Sequence, residues 1–176
     1  ELKYISKEKY LPREYISVSL LEAFESCPFS FYLKYYLKIE PPVKDYVQRG
    51  KLFQDILNAK YKEEDTDKLI DLLPEKDREL AKLMLSKAND FENIISIDEP
   101  YTVDLGFDAE VKFMPDLVTK DRIIENKYTS GYYNPKSIQD KKQGILYYIG
   151  IKKKLGVDME VYYQLFNTRT KKVDLV

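Results

Sequence analysis

Three residues of the types that bind metal ions and move protons lie near one another in the chain: Asp116, Glu125 and Lys127. Two carboxylates can hold a small, hard cation such as Mg²⁺. The cation polarises a phosphate oxygen and lowers the pKa of a bound water, and a nearby lysine orients that water or stabilises developing negative charge. The same residues also suit a plain cross-strand salt-bridge ladder, worth about 0.2–1 kcal/mol per pair. Because 34% of the residues are charged, the spacing alone does not separate the two interpretations.

Two predicted strands must position these side chains. Asp116 follows Met114-Pro115 at the end of one apolar strand, and Ile123-Ile124 leads a second strand into Glu125. Since side chains alternate between the faces of a strand, Glu125 and Lys127 point to one face and Asn126 to the other. Neighbouring strands would then bring Asp116 beside the other two residues.

A helix predicted from Pro135 to about Leu155 follows these strands. Gln143 and Tyr147 are one helical turn apart and share a face, with Gln139 one turn earlier. This face can contact a phosphodiester or steady the lysine, or it is simply a polar helix edge with a buried tyrosine.

The composition excludes several other chemistries. The chain has 176 residues, no histidine and one cysteine, Cys27. Catalytic triads that use histidine, histidine-dependent zinc sites and an intrachain disulfide are therefore excluded. A single cysteine fits a reducing setting, so we expect a cytoplasmic location. No stretch of the sequence approaches the length of a membrane-spanning helix, so we expect no membrane segment. The formal net charge of −1 means that any nucleic-acid binding depends on local patches.

The predicted elements describe an α/β or α+β protein with a central mixed sheet flanked by helices, in one domain spanning 1–176. Residues 1–92 are mainly helical, and 93–176 form a sheet-and-helix core. Ser19 is predicted to cap the first helix, Cys27-Pro28 to interrupt it, and further helices to cover about 46–61 and 75–89. Strands are predicted over 94–103, 107–113 and 122–127, followed by a closing hairpin of 160–167 and 172–176.

In this order the motifs resemble the RecB-like exonuclease branch of the PD-(D/E)XK nuclease superfamily, which includes CRISPR-associated RecB-like exonucleases. Its members show a serine-led helix ending in Cys-Pro, a glycine followed four residues later by histidine, an aspartate in a strand, an ExK strand and a QxxxY helix. This chain supplies Ser17 to Pro28, Gly50, Asp116, Glu125-Asn126-Lys127, and Gln143 with Tyr147.

The resemblance implies a restriction-endonuclease-like core and a role for each matching residue. Asp116 and Glu125 would be metal ligands together with the Asn126 carbonyl oxygen, and Lys127 would be the catalytic lysine. Further residues would support the site or the DNA: Gln143, Tyr147, Thr129 and Ser130.

Two positions depart from the family pattern. Gln54 stands where the histidine is expected, and its amide oxygen is a weaker ligand for a hard cation. Some relatives hold an iron–sulfur cluster through four cysteines, but no cysteine follows Cys27, so we expect no cluster and a buried, apolar Cys27.

The resemblance implies a Mg²⁺- or Mn²⁺-dependent DNA nuclease acting on single strands or duplex ends, an exonuclease rather than an endonuclease. Lys136, Lys141 and Lys142 would supply local positive charge. A homo-oligomer or a larger recombination or replication complex is compatible with such a protein, as is a viral or mobile-element origin, with a location in the host cytoplasm. The alternative is a nuclease-fold module that binds nucleic acid or assembles complexes and has little or no turnover, which the glutamine at position 54 favours.

Overall fold

The computed structural model describes residues 15–40, 42, 45–104, 106, 110–129 and 142–176. Its first half is mostly helical. A short strand, β1, covers Tyr15–Ile16. The helices in the described part of this half are α1 Val18–Ser26, α2 Pro28–Tyr35, α3 Asp45–Tyr61, α4 Asp67–Asp71 and α5 Glu75–Lys87. None of the described helices has the length and apolar character needed to cross a membrane.

The first two helices are joined at the Cys27-Pro28 step, as predicted. α1 is capped by Ser17, whose hydroxyl accepts a hydrogen bond from the Leu20 N–H. The predicted cap at Ser19 is therefore wrong by two residues, because Ser19 already lies in the first turn. Cys27 is half-buried and caps α2, with Sγ accepting from the Ser30 N–H at 3.5 Å. Cys27 thus has a local polar contact in place of the apolar burial that we expected.

Strands dominate the second half, which also contains one long helix. The described elements are β2 Ile94–Ile97, β3 Tyr101–Asp104, β4 Glu110–Phe113, β5 Leu117–Thr119, β6 Arg122–Thr129, α6 Lys142–Leu155, β7 Glu160–Asn167 and β8 Lys172–Leu175. The closing hairpin, β7 and β8, agrees with the prediction. The predicted helix start at Pro135 lies outside the described residues.

The strands form two mixed sheets. The larger sheet has the order β2-β5-β6-β7-β8, in which β6 and β7 are parallel and the other pairs antiparallel. The smaller has the order β1-β4-β3, with β1 parallel to β4. The predicted mixed α+β architecture, with a mixed sheet flanked by helices, is confirmed, and the structure adds a second, smaller sheet. The predicted strand 94–103 is broken at Asp98, which has φ 53° and is followed two residues later by Pro100, and its halves join different sheets.

Helices cover both faces of the larger sheet, and β6 lies between the two resulting cores. Ile124 packs with Ile56, Leu57 and Met84 from α3 and α5. Ile123, the preceding residue, packs with Ile151 of α6 and with residues of the smaller sheet. The alternation along β6 therefore sends odd-numbered side chains toward α6 and even-numbered ones toward α3. This division decides where each candidate residue points.

Candidate active site

Asp116 lies in the turn between β4 and β5, immediately before Leu117. Its Oδ2 accepts a hydrogen bond from the backbone N–H of Asn126 at 2.6 Å. Its carbonyl oxygen accepts from the Asp98 N–H at 3.0 Å. The turn is thus tied both to β6 and to the end of β2, so the carboxylate has one defined position beside the Glu125–Lys127 segment.

Glu125 and Lys127 share the α6 face of β6, as strand alternation predicts. The Lys127 Nζ lies 2.5 Å from Glu125 Oε1, and Gln143 Nε2 donates to the same oxygen at 2.7 Å. Glu125 is only 5% exposed, and its Oε2 has no hydrogen-bond partner among the described residues. One carboxylate oxygen is therefore held by two donors, while the other is buried and open to a further ligand.

The α6 residues connect this carboxylate to the β4–β5 turn. Gln143 Nε2 also bonds the Tyr147 hydroxyl at 2.8 Å, and that hydroxyl donates to the Met114 carbonyl at 3.0 Å. Burial raises the pKa of Tyr147 well above its usual range, and the Glu125 charge raises it further. Tyr147 therefore stays protonated and acts as a donor. The helix, β6 and the β4–β5 turn that carries Asp116 are therefore joined by one continuous set of hydrogen bonds.

The surroundings of Asp116 disfavour its charged form. Burial raises the pKa of Asp116 well above its usual range, and the Glu125 charge raises it further. The Asn126 N–H and the Lys127 charge act in the opposite direction but do not cancel the rise. A divalent cation would favour the ionised forms and would occupy the open Glu125 Oε2. The donor set therefore fits a hard cation. No group of three or more His, Cys, Asp and Glu side chains suited to a metal occurs among the described residues, so other ligands would have to be carbonyl oxygens or water.

The side chain and the backbone of Asn126 have different partners. Its side chain points to the α3 face, where Oδ1 accepts from Gln164 Nε2 at 2.8 Å. Its backbone N–H bonds Asp116 on the candidate-site side. Only the backbone carbonyl of Asn126 is then available as the predicted metal ligand.

Gln54 is linked to the site through hydrogen bonds of Asn58 and Asp98, two residues that were not predicted from the sequence. Its Nε2 donates to Asn58 Oδ1 at 3.0 Å, and Asn58 Nδ2 donates to Asp98 Oδ2 at 3.2 Å. Asp98 in turn bonds the Asp116 backbone, and its charge contributes to the raised pKa of Asp116. Asn58 lies one turn after Gln54 on the same face of α3, a spacing visible in the sequence, whereas the contact with Asp98 depends on how α3 packs on β2.

The remaining predicted residues lie at the margin of the site or beyond the described part of the chain. Thr129 ends β6, and its carbonyl accepts from the Thr168 N–H at 2.8 Å. Ser130 lies outside the described residues, as do Lys136, Gln139 and Lys141. Lys142 forms an ion pair with Glu25 of α1, which joins the start of α6 to the N-terminal helices.

Comparisons with known proteins identify the family and the fold of the chain. The profile of the PD-(D/E)XK nuclease superfamily matches residues 15–176. No curated protein matches the chain significantly. Among solved structures, the chain is similar to a "putative exonuclease" from Eubacterium rectale, with a TM-score of 0.69 and 15% identity, over 100% of this chain and 78% of that chain. At that identity the likeness concerns the fold, and it confirms the predicted restriction-endonuclease-like architecture.

Proposed function

The chain belongs to the PD-(D/E)XK nuclease superfamily, and from this premise we propose that it is a divalent-metal-dependent nuclease with Asp116, Glu125 and Lys127 as its catalytic residues. The observation that carries the proposal is the environment of Glu125. Lys127 and Gln143 hold its Oε1, while its buried Oε2 has no partner among the described residues. A salt bridge needed only for stability does not account for a buried, open carboxylate oxygen, because such an atom costs about 1–3 kcal/mol.

Asp116, Glu125 and the Asn126 carbonyl would hold Mg²⁺ or Mn²⁺, the cations suited to an oxygen-rich site. The bound cation would polarise a phosphate oxygen and lower the pKa of a bound water. Gln54 remains a predicted ligand through its amide oxygen, because its amide nitrogen is engaged by Asn58. Whether one or two cations bind depends on that position.

The protein's own residues have separate tasks in this proposal. Lys127 places a positive charge beside Glu125, where it stabilises negative charge that develops on the phosphate. Gln143 fixes the orientation of Glu125, and Tyr147 anchors Gln143 to the β4–β5 turn. Thr129 ends the catalytic strand and Ser130 is the next residue in the sequence, and both would contact a phosphate of the bound substrate.

The substrate that we propose is DNA, at duplex ends or as single strands, cleaved as by an exonuclease of the RecB-like branch. The motif order of that branch supports this choice, and the similar structure from Eubacterium rectale is described as a "putative exonuclease". Nucleic acid is the expected partner, and a homo-oligomer or a larger recombination complex in the cytoplasm would be compatible with this activity.

The decisive experiment compares the wild-type chain with Lys127→Ala on labelled single- and double-stranded DNA, with Mg²⁺ and with Mn²⁺. We expect the variant to lose about 10²–10³-fold in rate, the loss typical when one charge-stabilising donor is removed. Lys152→Ala is the matched control, since Lys152 pairs with Asp158 at the exposed end of α6. Its rate should equal that of the wild type.

The outcomes separate the two functional readings. If the wild type and Lys127→Ala are equally inert with both metals and both substrates, the nuclease proposal fails. DNA binding without cleavage would then favour the alternative, a nuclease-fold binding or assembly module.

A further inference from the structure

A buried polar cluster lies behind the candidate active site, on the α3 face of β6. Its centre is Gln164 of β7, which is 0% exposed. Gln164 Oε1 accepts from the backbone N–H and from Nδ2 of Asn89, at 2.7 and 3.0 Å. Its Nε2 donates to the Tyr61 hydroxyl at 2.7 Å and to Asn126 Oδ1 at 2.8 Å. The amide of Gln164 thus uses both donor hydrogens and both acceptor positions.

The cluster acts on the residue at the middle of the catalytic strand. Gln164 and Asn126 are direct partners in the parallel pairing of β6 with β7. Asn126 is flanked by Glu125 and Lys127, and its own N–H holds the Asp116 carboxylate at 2.6 Å. A bond that fixes the Asn126 side chain from behind therefore also fixes the peptide groups that aim the carboxylates and the Asn126 carbonyl on the other side.

The Asn126–Gln164 pair leaves one buried polar atom without a hydrogen bond within the described part of the chain. Asn126 is buried, and its Nδ2 has no partner among the residues that the structure describes. A buried donor without a partner costs about 1–3 kcal/mol, so the Asn126 amide is not the most stabilising group for this position. The amide pair is therefore better explained by orientation than by stability.

We propose that Gln164 is a positioning residue of the metal site, which sets cation affinity by fixing Asn126 through the β6–β7 pairing. The inference rests on the proposed function, since it assumes that Asp116, Glu125 and the Asn126 carbonyl bind the cation. Gln164 lies on β7, on the α3 face of the sheet, and would act on the cation only through Asn126. Outer residues that orient ligands act in this way in other metal sites.

Calorimetric titration of the whole chain with Mn²⁺ alone tests the inference. Gln164→Met preserves the approximate size and removes the bond to Asn126, so it should weaken Mn²⁺ binding about 10-fold, the lower end of the effect of such outer residues. Met84→Ala is the control, because Met84 is buried in α5. It should lower the melting temperature without changing the Kd for Mn²⁺.

A second variant approaches the same bond from the other side. Asn126→Ala keeps the backbone N–H and carbonyl but removes the side chain that Gln164 holds, and it should weaken Mn²⁺ binding to a similar extent. Adding Gln164→Met to Asn126→Ala should then produce no further loss of Mn²⁺ affinity, because the Gln164–Asn126 bond through which the positioning acts is already removed by Asn126→Ala. If Gln164→Met does not fold, Asn126→Ala still gives the decisive reading.

The possible results distinguish the positioning role from the proposed function. If the wild type binds Mn²⁺ and both variants keep the wild-type Kd, the positioning role of Gln164 is overturned while the proposed function stands. The same holds if Met84→Ala weakens binding as much as Gln164→Met. If the wild type neither binds Mn²⁺ nor cleaves DNA, both proposals fail together.

Discussion

At the scale of single residues, Glu125 and Asn126 show how one strand can serve two environments. The ammonium group of Lys127 and the side-chain amide of Gln143 both donate to Glu125 Oε1, so these two contacts stabilise the carboxylate at one oxygen only. Asn126 faces the opposite side and meets neutral amide and hydroxyl groups through Gln164. The Glu125 carboxylate and the neutral cluster thus lie on opposite faces of a single strand, and the Asp116 charge adds to the rise that burial causes in the pKa of Tyr61.

Tyr61 offers a test of the neutral cluster. Burial raises its pKa to about 12. At pH 8, Tyr61→Phe should lower the free energy of unfolding by about 1 kcal/mol, since Gln164 loses one acceptor. Above pH 10 the unfolded tyrosine ionises while the folded one stays neutral, so the wild type loses stability as pH rises toward 12. The deficit of the variant should therefore shrink, by up to about 1.4 kcal/mol per pH unit.

Urea unfolding of both proteins at pH 8 and pH 11 measures this difference. The other tyrosines are common to the two proteins and cancel in the comparison. A deficit that is the same at both pH values would show that Tyr61 titrates alike in the folded and unfolded states.

The sequence allowed the residues on the α6 face of β6 to be predicted, but not the polar cluster around Gln164 on the α3 face. Glu125, Lys127, Gln143 and Tyr147 follow local rules, strand alternation and helical spacing, and the structure joins them by hydrogen bonds. Their catalytic roles stay predictions. The position of Gln164 beside Asn126 depends on the register of the parallel β6–β7 pairing, which no local pattern in the sequence specifies.

At the scale of elements, the packing of α6 on the smaller sheet depends on a close approach at Gly150. A Cβ on Gly150 would lie 2.3 Å from the Cε1 and Cζ atoms of Phe113 in β4. The Phe113 ring cannot easily move aside, because it is buried between Tyr101 and Tyr147, with ring centroids at 5.6 and 5.7 Å. The glycine therefore permits the contact that places Tyr147 and Gln143 beside β6.

We expect Gly150→Ala to destabilise the protein by about 1–3 kcal/mol, the usual cost of overpacking a filled core. Gly50→Ala in α3 is the matched substitution, since a Cβ there meets nothing within 4 Å. It should stabilise the helix by about 0.5–1 kcal/mol. Thermal unfolding followed by circular dichroism measures both, and two changes of the same sign would contradict the packing argument.

The errors in element prediction arise where a strand is short or interrupted. Residues 94–103 are strand-like only on either side of Asp98-Glu99-Pro100, where the chain turns and the two halves enter different sheets. β5 has only three residues, all buried, and too short a pattern to show alternation. The long helices and β7 were predictable because each has several turns or alternations of its own.

At the scale of the whole molecule, β6 is the central strand of the larger sheet and has a helix-covered core on each face. The carboxylates that it and the β4–β5 turn provide are therefore held by packing from both sides and have little freedom to separate. Burial, and after it the Glu125 charge, raises the pKa of Asp116, so the fold by itself disfavours the ionised form of that carboxyl. Binding of the proposed cation would then be coupled to folding.

This coupling predicts a metal-dependent melting temperature. A cation present at 100 times its Kd stabilises the folded state by about 2.7 kcal/mol. For a chain of this length, that corresponds to a rise of about 5–10 °C in Tm. The wild type in Mn²⁺ should show this rise relative to the wild type in EDTA, whereas Asp116→Ala should show none, because it lacks a carboxylate of the proposed site. Gly50→Ala, which leaves the carboxylates intact, should keep the full rise. An equal rise in Asp116→Ala would place the stabilising cation elsewhere on the protein and remove Asp116 from the ligand set.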